Sequence, residues 1–381
     1  MDRSPLSAAA LRAVLLPFGQ ARPLPKAAYL ERSVFELERA QLFSRSWLCV
    51  GRSEEVESPG EFVRAPLGPE GILVARGADL ALHAHFNVCR HRGALLCHER
   101  KGRVDAFECP YHAWRYELDG RLGSAPGSDG REGFARAEFG LERVRVEEWA
   151  GFVFVNLADD APKLLEALAP IPEALGRLHL GALRLGRRRE HEVRANWKLL
   201  VENFQESHHF PRVHRALERW TPWERSTSTT LGGPWLGGTM ELVAEAETVS
   251  LDGKRHERPF LAGSNAADRR KIHDFFCWPN LLLSVQPDYL LSYLVWPLAP
   301  DRSLVVADIL FHPAAFRPGF APDDVYDFWD VTNREDREIC ESQQVGIGSR
   351  GFDGGVYASS EDGTHAFDRR VASFYLEQTE S

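Results

Sequence analysis

The chain has 381 residues, 46 basic and 55 acidic side chains, and a formal net charge of −9. With 44% hydrophobic and 27% charged residues it is a globular chain of about two domains, neither disordered nor fibrous. The acidic balance argues against broad nucleic-acid binding, and six cysteines are too sparse for a disulfide scaffold.

The stretch up to Phe18 is apolar, but Arg12 interrupts it and Asp2 opposes a positive start, so it predicts a short helix and not a signal peptide. No run of about 18 apolar residues occurs, so no membrane span is expected, and the reading is of a soluble, cytoplasmic protein. Residues 27–47 place Tyr29, Val34, Phe35, Leu37, Leu42 and Phe43 at helical spacing. Residues 1–47 are thus expected to form a helical segment packing on the C-terminal domain. From 48 to 160, short apolar runs such as Ile72–Val74 and Phe152–Val155 alternate with turn residues, and Leu118-Asp119-Gly120-Arg121 is a hairpin signal. This stretch predicts an all-β domain.

Residues 161–381 form the remaining domain, starting with a helical stretch at 162–180. Arg184 to Arg194 is a basic run, either a solvated face or a docking patch for an acidic partner. A helix near 196–218 follows, then strands at Leu281–Val285, Leu290–Val295 and Leu304–Phe311, and a long helix around 322–345. The order predicts an α+β domain on an antiparallel sheet.

Two groups of residues carry chemistry. Cys89-x-His91 and Cys109-x-x-His112 are ligand pairs separated by 17 residues. Each pair offers one thiolate and one imidazole from a tight turn. Such a set serves a zinc ion, or a 2Fe–2S cluster with both cysteines on one iron and both histidines on the other.

The second group lies in NWKLLVENFQESHHFPRVH, residues 196–214. Glu202, Glu206 and His209 follow the spacing of one helical stripe. His214 sits about 140° from His209 on an ideal helix, and Pro211 between them would distort the helix and let both imidazoles converge. Two histidines and a carboxylate make the facial triad of non-haem iron oxygenases. For the carboxylate, Asp336, Ile339, Cys340 and Gln343 share a helical face that reads as buried, and a buried carboxylate calls for a cation. Asp336 is the first choice and Asp330 the second. Gly346-Ile-Gly348-x-x-Gly351 matches a dinucleotide pattern but follows a helix, so no nucleotide site is expected.

With Gly93 and the Pro110-Tyr111-His112-x-Trp114 run, the first group resembles the Rieske domain of non-haem iron ring-hydroxylating oxygenases. The second resembles the mononuclear-iron motif of the same family, Asn-Trp-Lys…Glu-Asn…carboxylate-x-x-His-x4-His. The resemblance implies that Cys89, His91, Cys109 and His112 hold the 2Fe–2S cluster. It implies that His209, His214 and Asp336 hold Fe(II), with Glu206 bridging the iron site to a Rieske histidine. Ala113 departs from the usual Gly and His208 from the usual residue, while Tyr111 stands where respiratory-type proteins carry a disulfide cysteine, so Cys97 is expected to be a buried thiol.

The implied fold is a Rieske domain inserted in a helix-grip-like catalytic domain with a curved antiparallel sheet. The implied assembly is a homotrimer in which one subunit's cluster serves its neighbour's iron. Electrons would come from a separate flavin/iron–sulfur reductase or a ferredoxin, and O2 would be the oxidant of a small substrate. Glu at position 206 is most similar to the choline, carnitine and betaine monooxygenase branch, which implies hydroxylation or demethylation of a quaternary ammonium or N-methyl compound. Trp220, Trp223, Trp235, Trp278 and Tyr293 are candidates for an aromatic cage around such a cation. The alternatives are hydroxylation or O-demethylation of an aromatic acid and, in another class, an electron-carrier Rieske protein, which needs no facial triad.

Overall fold

The computed structural model describes residues 6–68 and 71–380, so the first five residues of the expected N-terminal segment lie outside it. Two compact units emerge, one made of the chain up to residue 38 and from 168 onwards, the other of residues 39–167. The second interrupts the chain of the first. These divisions stand beside the 47/48 and 160/161 boundaries expected from sequence texture, and a π-helical turn, Glu38–Phe43, straddles the earlier one.

The chain opens with α1 (Ala8–Val14), α2 (Ala27–Leu30) and α3 (Arg32–Leu37). The single helix expected over 27–47 is broken because Glu31 takes an extended backbone between α2 and α3.

Within residues 39–167 the strands are β1 (Leu48–Arg52), β2 (Glu61–Ala65), β3 (Ile72–Arg76), β4 (Leu82–Phe86), β5 (Lys101–Arg103), β6 (Phe107–Glu108), β7 (Arg115–Tyr116), β8 (Leu122–Ser124), β9 (Arg143–Trp149) and β10 (Phe152–Asn156), with α4 (Leu164–Ala167) after them. Seven form an antiparallel sheet in the order β1-β10-β9-β4-β3-β2-β5, and β6-β7-β8 form a smaller one. Phe62, Leu73, Phe107, Trp114 and Tyr116 fill the core between them. The hairpin expected at 118–121 joins β7 to β8. Gly120 is required there twice over: its φ is +88°, and a Cβ would come within 2.4 Å of the buried His85 ring.

The other unit continues with α5 (Ile171–Gly176), β11 (Arg184–Val193), α6 (Trp197–Phe204), α7 (Phe210–Val213), α8 (Arg215–Trp220), β12 (Ser226–Gly232), β13 (Trp235–Glu241), β14 (Lys271–Cys277), β15 (Leu281–Val285), β16 (Tyr289–Ala299), β17 (Arg302–Phe311), α9 (Asp323–Ile347) and α10 (Asp362–Glu380). The strands make one antiparallel sheet ordered β11-β17-β16-β15-β14-β13-β12, and α1 packs on α10. The three apolar strand segments expected from sequence are β15, β16 and part of β17. Helix α10 was not expected from the sequence.

The basic run 184–194 is strand β11, and several of its arginines are paired. Arg188 grips Asp308 through two 2.6 Å contacts, Arg187 pairs with Asp330, and Arg194 holds Glu341 at 2.8 Å. Arg188 is largely withdrawn into its pairing, whereas Arg184, Arg189 and Arg194 stay exposed, so part of the run is the solvated face expected.

Helix α9 buries Val325, Phe328, Trp329, Thr332, Cys340, Gln344 and Ile347. Asp336 falls on that stripe, but Ile339 is 42% exposed, so the face expected from Ile339 and Gln343 is rotated. Position 339 lies about 60° from 336 on the side away from Cys340, at about 100° per residue.

Candidate metal centres and active site

The first centre lies on two loops of the β unit. In one, Gly93 N–H donates to Cys89 O (3.0 Å) and Cys89 N–H to Ala94 O (2.8 Å). In the other, Ala113 N–H donates to Cys109 O (3.0 Å) and Cys109 N–H to Trp114 O (2.8 Å). The two loops have the same internal wiring, and each needs a left-handed residue after its histidine. Gly93 supplies φ +77° and Ala113 supplies φ +54°. The departure at Ala113 therefore falls on a position where an L-residue is strained.

Both cysteines are buried and near one another, and burial pushes the Cys89 thiol up. The Tyr116 hydroxyl lies 3.3 Å from Cys89 Sγ and accepts from Arg90 N–H at 2.9 Å, which leaves its own proton for the sulfur. The His91 and His112 rings are 4.7 Å apart, and His91 stacks on Trp114 at 4.8 Å. His112 Nδ1 is buried with no hydrogen-bond partner, an orphan that a metal bond would satisfy. Cys97 is a buried free thiol beside Glu99, as expected.

The donor set fits a cluster with two sulfurs on one side and two imidazoles on the other. Among the described residues, the groups of three or more donors within 4.8 Å of one another include none from this quartet. Zinc needs all four donors at about 2.0–2.3 Å from one point, so the zinc alternative falls away.

The second centre does include such a group: His209, His214 and Asp336. The continuous helix expected over 196–218 is three short ones. Asn196 caps α6, its side chain accepting from Lys198 N–H at 3.1 Å, and the helix stops at Phe204. His209 precedes α7, whose first turn carries Pro211, and His214 takes a non-helical backbone between α7 and α8. The break brings the imidazoles to 4.9 Å between centroids.

Glu206 Oε1 is 2.5 Å from His209 Nδ1, and Glu206 Oε2 accepts the His209 backbone N–H at 3.2 Å. This pins the ring and leaves Nε2 facing Asp336 Oδ1 at 3.8 Å. His214 is held from both sides, Nδ1 by Glu335 and Nε2 by Asp336, each at 2.8 Å. Burial disfavours charge on His214, but these two carboxylates outweigh it and raise its pKa. The pocket of charge is one that a metal cation would satisfy. Asp330 is elsewhere, paired with Arg187 and Arg189.

Glu202 does not share a stripe with Glu206, because α6 ends between them. It is buried against Tyr29, which donates at 2.7 Å, and beside Asp368. His208 is exposed, edge-on to Trp223 at 4.8 Å, and outside the trio.

The trio opens on a cavity of about 520 Å³, within the range of small-molecule sites. Trp223 and Tyr293 line it, joined by Phe204 and Trp329, which the sequence reading missed. Trp220, Trp235 and Trp278 do not line it, and their place in a cage is corrected. Trp220 donates to Ser250 O and Trp235 to Leu168 O from within the core, while Trp278 packs with Trp197, Phe276 and Phe367. Asp274 also lines the cavity, and its only sequence signal is a lone carboxylate inside an apolar strand.

Two thiols paired with two imidazoles on a β unit, and two imidazoles with a carboxylate opening on a cavity beside an antiparallel sheet, define a Rieske-type non-haem iron oxygenase. The chain belongs to the ring-hydroxylating oxygenase family: residues 180–377 match the ring hydroxylating alpha subunit (catalytic domain) and residues 46–139 the Rieske 2Fe-2S domain. It is 28% identical to the glycine betaine monooxygenase oxygenase subunit of Pseudomonas aeruginosa, over 88% of this chain and 85% of that one. It is 30% identical to the carnitine monooxygenase oxygenase subunit of Escherichia coli, over 93% and 92%. The crystal structure of the quaternary ammonium Rieske monooxygenase CntA with its substrate L-carnitine superposes with a TM-score of 0.81 at 27% identity, covering 98% of this chain and 99% of that one. Naphthalene 1,2-dioxygenase from Rhodococcus, at 19% identity, 97% and 96% coverage and a TM-score of 0.77, shares the fold. The cofactors are a Rieske-type 2Fe–2S cluster and a mononuclear iron, and the chain is an oxygenase component and not an electron carrier. Among the described residues no helix is long and apolar enough to cross a membrane.

Proposed function

We propose that this chain is a terminal oxygenase that hydroxylates or oxidatively demethylates a quaternary ammonium or N-methyl compound. The observation that carries this reading is the His209–His214–Asp336 group at a cavity whose walls combine aromatic rings with a carboxylate. Aromatic faces attract ammonium cations. The relatives named above that act on glycine betaine and carnitine support it.

In this reading Cys89, Cys109, His91 and His112 hold the cluster, and His209, His214 and Asp336 hold the iron. Bound iron supplies activation of O2 for insertion into a C–H bond next to nitrogen. Glu206 fixes the tautomer of His209 through Nδ1 and bridges electron transfer from a Rieske histidine. A CntA structure reveals insights into inter-subunit electron transfer, which supports one subunit's cluster serving another subunit's iron; the proposed assembly is a homotrimer. A separate flavin/iron–sulfur reductase or ferredoxin is the proposed electron source. With Cys89 and Cys109 on the cluster, the other four cysteines are buried and free of disulfides, which suits a reducing cytoplasm.

The test is substrate-dependent O2 consumption with a surrogate reductase, comparing trimethylammonium compounds with aromatic acids. Uptake coupled to aldehyde release from the ammonium compounds is expected. Uptake with aromatic acids alone would replace this reading with the ring-directed one.

A further inference from the structure

Asp274 sits mid-strand in β14, opposite Gly238 on β13 and Ser284 on β15, and its side chain lines the cavity. Three other buried carboxylates of this unit have a cation in contact: Asp288 has Arg258 at 2.7 Å, Asp308 has Arg188 and Glu38 has Lys198 at 2.6 Å; Asp368 and Glu202 instead accept from the phenols of Tyr357 and Tyr29. Among the described residues Asp274 has no such cation. The only group among them bonded to it is the hydroxyl of Ser284, and its Oδ1 is buried with no hydrogen-bond partner. Ser284 Oγ accepts from Gln286 Nε2 at 2.9 Å, so its own proton is directed at the Asp274 carboxylate. An unpaired carboxylate so placed costs free energy that a cation in the cavity would recover.

The aromatic wall stands beside it. Tyr293 lies close enough to both Asp274 and Asp336 that each carboxylate raises the pKa of its phenol, after the larger effect of burial. The Tyr293 hydroxyl donates to Asn333 Oδ1 at 2.7 Å, three residues before Asp336 on α9, which fixes the ring in place. A cation held against this ring lies in the same cavity as a carboxylate with no contacting cation and the group that collects the metal. Burial lifts the Asp274 carboxyl to about 7 despite the lowering hydrogen bond from Ser284, and a bound cation would pull it back down.

From this arrangement we infer that Asp274 is the counter-ion of the substrate's ammonium group, the residue that selects a cation over a neutral group of the same shape. The inference rests on the proposed function and names the specificity determinant within it. The cation accounts for the charge of Asp274, and a hydroxyl or N–H elsewhere on the substrate would satisfy Oδ1.

The experiment uses the metal-loaded protein and three trimethylammonium compounds, choline, glycine betaine and L-carnitine. Each is compared with its neutral analogue in which carbon replaces nitrogen, by calorimetric binding and by O2 uptake. The wild type is expected to bind at least one ammonium compound about tenfold or more tighter than its neutral analogue, a difference of about 1.4 kcal/mol. In Asp274→Asn that preference should vanish, with KM for the ammonium compound raised about tenfold, kcat changed far less and neutral-analogue binding unchanged. A melting curve reports whether the variant folds. If Asp274→Asn folds and keeps the wild-type preference, the assignment of Asp274 is overturned while the proposed function stands. If the wild type binds an ammonium compound no better than its neutral analogue, the counter-ion is overturned without recourse to the variant. No turnover of any ammonium compound by the wild type would overturn the proposed function as well.

Discussion

Replacing Glu206 with Gln separates its two proposed roles. Glu206 Oε1 meets His209 Nδ1 at 2.5 Å, a charge-assisted contact, and Gln keeps the shape and an acceptor oxygen but loses the charge. Charged hydrogen bonds contribute about 1.5–3 kcal/mol and neutral ones about 1, so the substitution removes about 0.5–2 kcal/mol from the support of His209. That predicts about a tenfold loss in iron affinity, which excess Fe(II) restores. If Glu206 also bridges electron transfer, turnover falls by more than about 100-fold even at full iron loading, a deficit beyond what weakened ligand support explains. The assay is stopped-flow re-oxidation of the reduced cluster, followed by its visible absorbance, alongside product formation and iron content. Iron-replete Glu206→Gln re-oxidising its cluster within about tenfold of wild type would refute the bridging role and leave only ring orientation.

Asp336→Ala is expected to lose the mononuclear iron by metal analysis with the cluster's colour intact. Asp330→Ala should keep the iron and lose only about 1 kcal/mol or less of stability from its ion pairs with Arg187 and Arg189. Ala113→Gly relieves a left-handed alanine and should stabilise the β unit by up to about 1 kcal/mol in denaturant unfolding, with no loss of cluster. Asp368 is raised to about 7 by burial, with Tyr357 donating to it at 2.6 Å and Glu202 sharing its surroundings. Because the native state then holds a proton that the unfolded chain has released, stability falls as pH rises from about 4 to about 7. Asp368→Asn should flatten that slope in melting curves across this range; an unchanged slope would assign the pH dependence to other groups.

The metal loops were legible because their spacing is local. A Cys-x-His or a His-x4-His is written in consecutive residues, and the turn that presents it needs only Gly93 or Pro211 nearby. Asp336 was reachable because helical periodicity placed it on the stripe of Cys340, even though Ile339 proved to face outward. The cage was only partly legible, since strand register and tertiary packing decide whether a tryptophan faces the cavity. Trp235 and Trp278 face the core for that reason. Glu202 was misplaced beside Glu206 because a helix stop at Phe204 is weakly marked: the chain there has no glycine, and Pro211 comes about two turns later. The arginines of β11 read as a basic patch because their acidic partners, Asp308, Asp330 and Glu341, come from distant segments. Asp274 escaped notice because its meaning depends on what surrounds it.

The broken helix gives the iron site two supports of different stiffness. His209 and His214 stand at the two ends of α7, outside its helical residues, whereas Asp336 lies within the 25 residues of α9, anchored by Trp329 and Cys340. The two imidazoles are therefore set by loop backbone at the ends of one short helix, while the carboxylate is set by a long one. The carboxylate is the fixed landmark against which the histidines are set, so a change in the loops would shift the imidazoles and leave the third ligand in place.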